Sequence, residues 1–349
     1  MAGRVTIVDV AREAGVAIST VSAALNDRPG VAPQTRLAVR AAADRLGWVP
    51  SLRGRSLSSR RTYSVGMVIQ RNPRVLEADP FFWGFIAGVE GVLDRHGYGF
   101  VLHTAPTAPR MLERIRDLAL RRGIDGIFLT DVRTRDPRFA LLQELALPGV
   151  AVNVPASRSP ISTVDQDHEQ ALRQVMDLLL ELCHRRIAHV AGSPGLVHSA
   201  QRRRVWRSHL ADAGLATDLL CCGDFTIDAG RAAARELMAR PDPPTAVVCA
   251  NDLTAMGLLS GLGELGLRCP DDVSVTGFDG IAMGEFSSTP LTTVATLPHE
   301  LGRSAARLLL DAIGGQQRSD VTVEPARLVQ RRSVAAPPGG LLRSAGPAS

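Results

Sequence analysis

From Tyr63 onward the chain alternates between two kinds of text. Runs that read as buried strands (YSVGMVI, YGFVLHT, IDGIFLT, GVAVNV) are separated by stretches with helical periodicity, among them FFWGFIAGVEGVLDRHG, MLERIRDLALRRG and FALLQELAL. After ISTVDQDHEQALRQVMDLLLELCH the alternation restarts with RIAHVAG, RVWRSHLADAG, AVVCAND, LTAMGLLSGLGELG and DVSVTGFD. Repeated strand–helix units imply parallel sheets covered by helices. Two such runs, joined near residue 160, predict two doubly wound lobes with a crevice between them. In open sheets of this kind ligands sit beyond the carboxyl ends of the strands. Polar residues at those ends are therefore the candidates for a site.

The first sixty-one residues have another character. They hold ten arginines and four acids, a net charge of +6, while the remainder of the 349 residues is close to neutral at −1. No lysine occurs anywhere. A basic module on a neutral body is the electrostatic footprint of nucleic-acid binding. Thr6 can cap a first helix, with Asp9 favouring its positive end and Ile7, Val10, Ala11 and Ala14 forming its apolar face. Gly15 punctuates a turn, and a second helix runs from about Ile18 to Asn26 with Val21, Ala24 and Leu25 inward. Ala11, Gly15 and Val21 fall at helix-turn-helix spacing. Pro33 opens a third helix and Gly47 follows its end, with Leu37, Ala41 and Leu46 predicted to pack on the first two.

Other classes find little support. No apolar run approaches the roughly 20 residues of a membrane span, and the N-terminus lacks the pattern of a secretory signal. The expectation is a cytoplasmic protein, nucleoid-associated when bound to DNA, without membrane contact. The five cysteines form no C-x-x-C pair and read as reduced, mostly buried thiols. Gly261, Gly263 and Gly266 match G-x-G-x-x-G but close a helix instead of opening one, so no dinucleotide cofactor is expected. The acids at Asp165 and Asp167 have no His or Cys companion at ligand spacing, so no metal is expected. No Ser-His-Asp or paired-carboxylate signature stands out, which argues against an enzyme. A transport component predicts a signal peptide and no basic head.

TIVDVAREAGVAISTVSAALN, followed by GVAPQTRLAV and LGWVPSLRGRSL, resembles the N-terminus of the lac repressor family (LacI/GalR regulators), and the resemblance continues to about residue 335. It implies an all-α helix-turn-helix head at 1–48, a hinge helix and linker at 49–61, and a two-lobed effector-binding and dimerisation core at 62–336. The core is of the periplasmic-binding-protein-like type I, and the tail at 337–349 is read as disordered. The chain of such a core crosses between lobes three times, so TPLTTVATLPHELGRSAARLLLDAI should return to the first lobe. The resemblance further implies a homodimer on pseudo-palindromic double-stranded operator DNA, acting as a repressor under allosteric control by a small molecule.

In the head, phosphate contacts are implied for Thr6, Thr20, Ser22, Asn26 and Thr35, and base reading for Ile18, Ser19 and Ala23. Between Val16 and Leu25 there is no charge, so hydroxyls and backbone amides position this helix while flanking arginines supply attraction. Ala17 and Ala32 stand where relatives carry a capping Ser. In the hinge, Leu57 matches the leucine that wedges between base pairs, with Arg53 and Arg55 near phosphates or in the groove. In the core, ADPFFWGF places Phe81 and Phe82 at the cleft. QRRRVWRSHLADAGL aligns Arg202 with an effector-clamping Arg, Arg203 being the alternative, and Val205 replaces a usual Gly. CANDLTAMG gives Asn251 as a ligand hydrogen bonder and Asp252 as a helix N-cap. Phe225, Asp279 and Asp167 complete the set. Arg, Asn and Asp beside aromatics suit a polyhydroxylated ligand, a sugar, over a purine, for which Val154 at one cleft wall offers no stack.

Overall fold

The computed structural model describes residues 5–25, 29–48, 61–71, 76 and 79–338. Asn26, Arg53, Arg55, Leu57 and the tail beyond Pro338 lie outside the described residues. By internal contact the chain divides into two units, Met1–Tyr63 and Ser64–Ser349.

The first unit contains α1 (Ile7–Ala14), α2 (Ile18–Leu25) and α3 (Pro33–Arg45). The N–H and hydroxyl of Thr6 both donate to Asp9, at 2.9 and 2.7 Å, and this holds the Asp9 carboxyl below its usual range. Gly15 ends α1 in the left-handed region, φ 66°, where a Cβ would be strained. The core is Val10, Ala11, Val21, Ala24, Val39, Ala42 and Ala43. One expectation fails here: Leu37 is 68% exposed and Ala41 is also exposed. The buried stripe of α3 is Val39, Ala42, Ala43 and partly Leu46, which is strict i, i+3, i+4, i+7 spacing. Leu37 and Ala41 lie on the neighbouring face.

The second unit has two lobes. The first lobe's sheet is built from β1 (Ser64–Ile69), β2 (Gly99–Thr104), β3 (Gly126–Leu129), β4 (Gly149–Val152), β5 (Ser162–Gln166) and the late β11 (Asp320–Val323). Their order is β11-β5-β4-β3-β1-β2, parallel throughout. Helices α4 (Pro80–Leu93), α5 (Ala108–Leu120) and α6 (Pro137–Glu144) connect them. The second lobe holds α7 (Glu169–Glu181), β6 (Ile187–Ala191), α8 (Val197–Asp212), β7 (Leu220–Cys222), α9 (Ile227–Met238), β8 (Ala246–Cys249), α10 (Asp252–Glu264) and β9 (Ser274–Thr276). Its sheet order is β7-β6-β8-β9, again parallel. The short α11 (Ala282–Glu285) follows, then β10 (Thr293–Ala295), which pairs antiparallel with β12 (Arg327–Val329).

The chain passes between lobes after β5, after β10 and after β11. The second passage delivers α12 (Pro298–Ile313) to the first lobe, where it packs backbone to backbone on α4. A Cβ at Gly88 would sit 2.1 Å from the His299 carbonyl oxygen, and one at Gly302 equally close to that of Phe85. Two glycines of the rejected dinucleotide motif have structural duties, one in close packing and one in the turn after the helix. A Cβ at Gly261 would lie 2.7 Å from that of Ala234 on α9, and Gly266, φ 75°, lies just past the end of α10. Val205, in place of a Gly, is buried beside Trp206, Leu210 and Val248, so the larger side chain is part of the core. Cys221 and Cys249 are buried, but Cys183 and Cys222 are exposed, against the expectation of mostly buried thiols.

Candidate functional site

Between the lobes, the residues just past the strand ends converge on an inner cavity of about 40 Å³. Asp131 follows β3, Asn153 follows β4, Phe225 follows β7 and Asp279 follows β9, and all four line it. All four also have positive φ (49°, 56°, 70° and 110°). Non-glycine residues in this region cost energy and concentrate at functional sites. Here the left-handed step turns the chain abruptly off the sheet. Phe225 needs a further concession: a Cβ at Gly192 would lie 1.9 Å from its ring.

Arg71, just past β1, organises the first-lobe wall. It donates to Asp131 through Nε (2.6 Å) and Nη2 (2.8 Å) and to Asp79 through Nη1 (3.0 Å). Burial works against its charge, but the two carboxylates outweigh that and hold its pKa above the usual value. Burial likewise opposes the charge on Asp131, and Arg71 outweighs it, keeping the carboxyl below its usual range. Asp79 is pushed upward by burial. Asp79 also caps α4 by accepting from the Phe81 N–H at 3.1 Å. The guanidinium of Arg71 reaches across the cleft, 5.1 Å from the Phe82 centroid in one lobe and 5.2 Å from Phe225 in the other.

Arg202, on α8, forms the second-lobe counterpart. Its guanidinium carbon lies 3.5 Å from the Phe278 ring centroid, and Nη1 donates to the Ala250 carbonyl at 2.5 Å. Burial lowers its pKa to about 10. Its Nε is buried without an acceptor. Asp279 has the complementary deficit: no donor among the described residues reaches its carboxylate, and burial pushes its pKa well above the usual range. His198 lines the same cavity 5.5 Å from Phe225, and burial holds it neutral with a pKa of about 3. A buried donor without an acceptor, beside a half-buried carboxylate that no described donor reaches and between aromatic walls, is what a hydroxylated ligand would satisfy.

Several expectations need correction. Phe81 lines the cavity, but Phe82 is 1% exposed and packs in the core under Arg71, because successive helical positions point about 100° apart. Arg202, not Arg203, faces the cleft. The cap of α10 falls to Asn251 and not to Asp252. Asn251 is the N-cap of α10: its Oδ1 accepts from the Thr254 N–H and hydroxyl, and its Nδ2 donates to the Phe225 carbonyl. It lines the cavity with one N–H to spare and chiefly holds Phe225. Asp252 is fully buried, accepting from the Ile281 N–H and the Thr293 hydroxyl. Asp167 is exposed and accepts from the Glu169 N–H, turning the chain into α7; it lies outside the cavity lining. Val154 is in the first-lobe core, and the wall is formed by Val152 and Asn153. Arg71, Asp131, Asp79 and His198 were missed, although the strand-end rule applied to β1 and β3 points to the first two.

In the first unit, α2 buries Val21 and Ala24 and presents Ile18 (48% exposed), Ser19, Ser22 and Ala23 on a stripe about 140° wide. Thr20 and Thr35 are half-buried at the edges, and Thr6 is exposed with its hydroxyl given to Asp9.

Residues 6–51 match the family model described as bacterial regulatory proteins, lacI family, and residues 176–334 match a periplasmic binding protein-like domain. The chain is 38% identical over 332 residues to the HTH-type transcriptional regulator CelR of Thermobifida fusca, covering 93% of this chain and 95% of that one. It is 33% identical over 313 residues to the HTH-type transcriptional repressor CytR of Escherichia coli (strain K12), covering 89% and 90%. Among solved structures, a transcriptional regulator CelR–cellobiose complex aligns with a TM-score of 0.72 at 36% identity, covering 95% of this chain and 100% of that one. The lac repressor dimer bound to operator and the anti-inducer ONPF aligns with a TM-score of 0.81 at 25% identity, covering 96% and 100%. With a helix-turn-helix head, a two-lobed core and relatives aligned along nearly its whole length, the chain belongs to the lacI family of bacterial regulatory proteins.

Proposed function

We propose that the chain is a sequence-specific, DNA-binding transcriptional repressor whose operator affinity is set by a sugar held between its lobes. It works as a cytoplasmic homodimer on a pseudo-palindromic duplex, nucleoid-associated when bound, and without catalytic activity. Ile18, Ser19 and Ala23 read bases, and the hydroxyls of Thr6, Thr20, Ser22 and Thr35 meet phosphates, joined by Asn26 and by Arg53, Arg55 and Leu57 of the hinge. Arg202, Asp279, Phe81, Phe225 and Asn251 hold the effector.

The observation that carries the sugar reading is the pairing of Arg202 Nε, a buried donor with no acceptor, with Asp279, a carboxylate with no donor, on one cavity. One vicinal diol satisfies both, because a hydroxyl donates and accepts at once. Hydroxyls donating to Asp279 also favour its ionised form, which the nearby Arg202 charge attracts. The relative solved with cellobiose supports the same class. A ligand that binds only the folded protein raises the melting temperature. In a thermal-shift screen of sugars and nucleosides on the full chain, a sugar at about a hundred times its Kd should raise it by about 5 °C or more. A shift with nucleosides alone overturns the sugar reading.

A further inference from the structure

The run Asp165–Gln166–Asp167 lies where the chain first leaves the first lobe. Gln166 is the last residue of β5 and is 3% exposed. Its side chain reaches both of the other passages between the lobes. Nε2 donates to the Glu324 carbonyl at 2.9 Å, just past β11, and Oε1 accepts from the Leu297 N–H at 3.1 Å, where α12 begins. One residue further on, the Asp167 carbonyl accepts from the Ala326 N–H at 2.8 Å. The three passages are thus tied at one level of the interlobe hinge.

The chemistry at this point admits few side chains. Glu324 presents a carbonyl and Leu297 an N–H, so the group between them must both donate and accept. A carboxylate only accepts, an ammonium or guanidinium only donates, and an apolar chain does neither. Leu297 is also the residue from which α12 starts, and α12 packs on α4, whose first turn carries Phe81 at the cavity.

The tie is contiguous with the residues proposed to hold the effector. The Gln166 carbonyl lies 3.1 Å from His168 Nδ1, and burial holds that imidazole neutral with a pKa of about 4. The His168 ring meets Phe278 at 89°, centroids 5.6 Å apart, and the Arg202 guanidinium lies over Phe278. On the second passage, the N–H and hydroxyl of Thr296 both donate to the Asp279 carbonyl at 3.2 Å. A packed route alone is not a coupling. What the Gln166 amide adds is that the three strands cannot turn independently.

We propose that Gln166 is a positioning residue for the allosteric response: its amide clasps the three passages into one hinge, so that a turn imposed at Arg202 and Asp279 moves the first lobe as a body instead of bending one strand. The inference rests on the reading of the chain as a sugar-controlled repressor.

The test compares the full chain with Gln166→Met, which keeps the length of the side chain and removes both hydrogen bonds. Operator Kd is measured with and without saturating cellobiose, and cellobiose Kd by calorimetry. The variant should keep cellobiose affinity and sugar-free operator affinity within about threefold, while the cellobiose-induced change in operator Kd falls from about tenfold to about twofold or less. A purely structural role lowers the melting temperature and leaves this ratio alone, so an equal response in parent and variant overturns the clasp while the sugar reading stands. A parent whose operator Kd is unchanged by cellobiose removes the sugar reading instead. Hydrogen exchange on the parent then decides the clasp, and it does so equally where the variant does not fold. The Leu297 and Ala326 amides, donated to Gln166 and Asp167, should be protected to within about threefold of each other, because the passages open together. A larger difference overturns the clasp.

Discussion

Arg202 lies flat over Phe278, its guanidinium carbon 3.5 Å from the ring centroid, while Nη1 is held by the Ala250 carbonyl. The stack and the hydrogen bond fix the plane of the guanidinium before any ligand arrives. Nε is buried and left without an acceptor, on the edge that a ligand must supply. Such preorganisation lowers the entropy cost of binding.

Lysine at this position keeps the charge but has neither the plane nor the second donor edge. Arg202→Lys should therefore weaken sugar binding by about 10- to 100-fold, the loss of a charge-assisted hydrogen bond of about 1.5–3 kcal/mol. Operator affinity without sugar should change little. Calorimetry and an operator titration on the same preparation measure the two separately. Unchanged sugar affinity in the lysine variant removes Arg202 from the site.

Asp252 provides a pH test. Burial pushes its pKa up to about 6, against the pull of Thr293 and the Ile281 N–H. The folded state thus binds a proton more readily than the unfolded chain between about pH 4 and 6. The stability contributed by this group is present below its ordinary value of 3.8 and is lost as pH rises through about 6. Asn cannot titrate. The unfolding free energy of the parent minus that of Asp252→Asn should therefore fall by up to about 3 kcal/mol over this window and stay flat above pH 7. Urea melts at four pH values give the difference. A gap that is constant or widens with pH contradicts the assignment.

The fold was far more legible than the site. Strand–helix alternation survives any local error, because each strand's burial and each helix's periodicity repeat the message. The α3 face was misassigned because Leu37 outweighs alanines in hydrophobicity, whereas the packed stripe of Val39, Ala42 and Ala43 is set by helical spacing and close approach. In the cleft, Arg202, Asn251, Phe225 and Asp279 could be placed from local motifs. Arg71 and Asp131 stand at strand ends, but that they pair could not be read locally, since they lie 60 residues apart and meet only because β1 and β3 are neighbours in the sheet. The cap was assigned to Asp252 instead of Asn251 because adjacent polar residues at a helix start are equally good caps by type. Which one turns inward depends on the Thr293 hydroxyl and the Ile281 N–H, supplied by distant segments.

On the exposed face of α2, Ala23 sits among Ile18, Ser19 and Ser22 without a charged neighbour on the helix. It can touch a thymine methyl but cannot take guanine through two hydrogen bonds. Ala23→Arg should change the preferred half-site by roughly 1–3 kcal/mol and alter low-salt, non-specific affinity much less. Competition binding across a set of half-site sequences separates the effects. Equal gains on every sequence assign the added arginine to phosphates instead.

The central claim is that a sugar in the cleft sets operator affinity. The most direct measurement is a titration of the full chain against a duplex from its own upstream region at fixed salt, with and without cellobiose. We predict a retarded, saturable complex whose Kd moves by about tenfold or more when the sugar is added, the range of a coupling free energy of 1–3 kcal/mol. A Kd unchanged at a sugar concentration that saturates the cleft, or no complex even at low salt, would contradict the account.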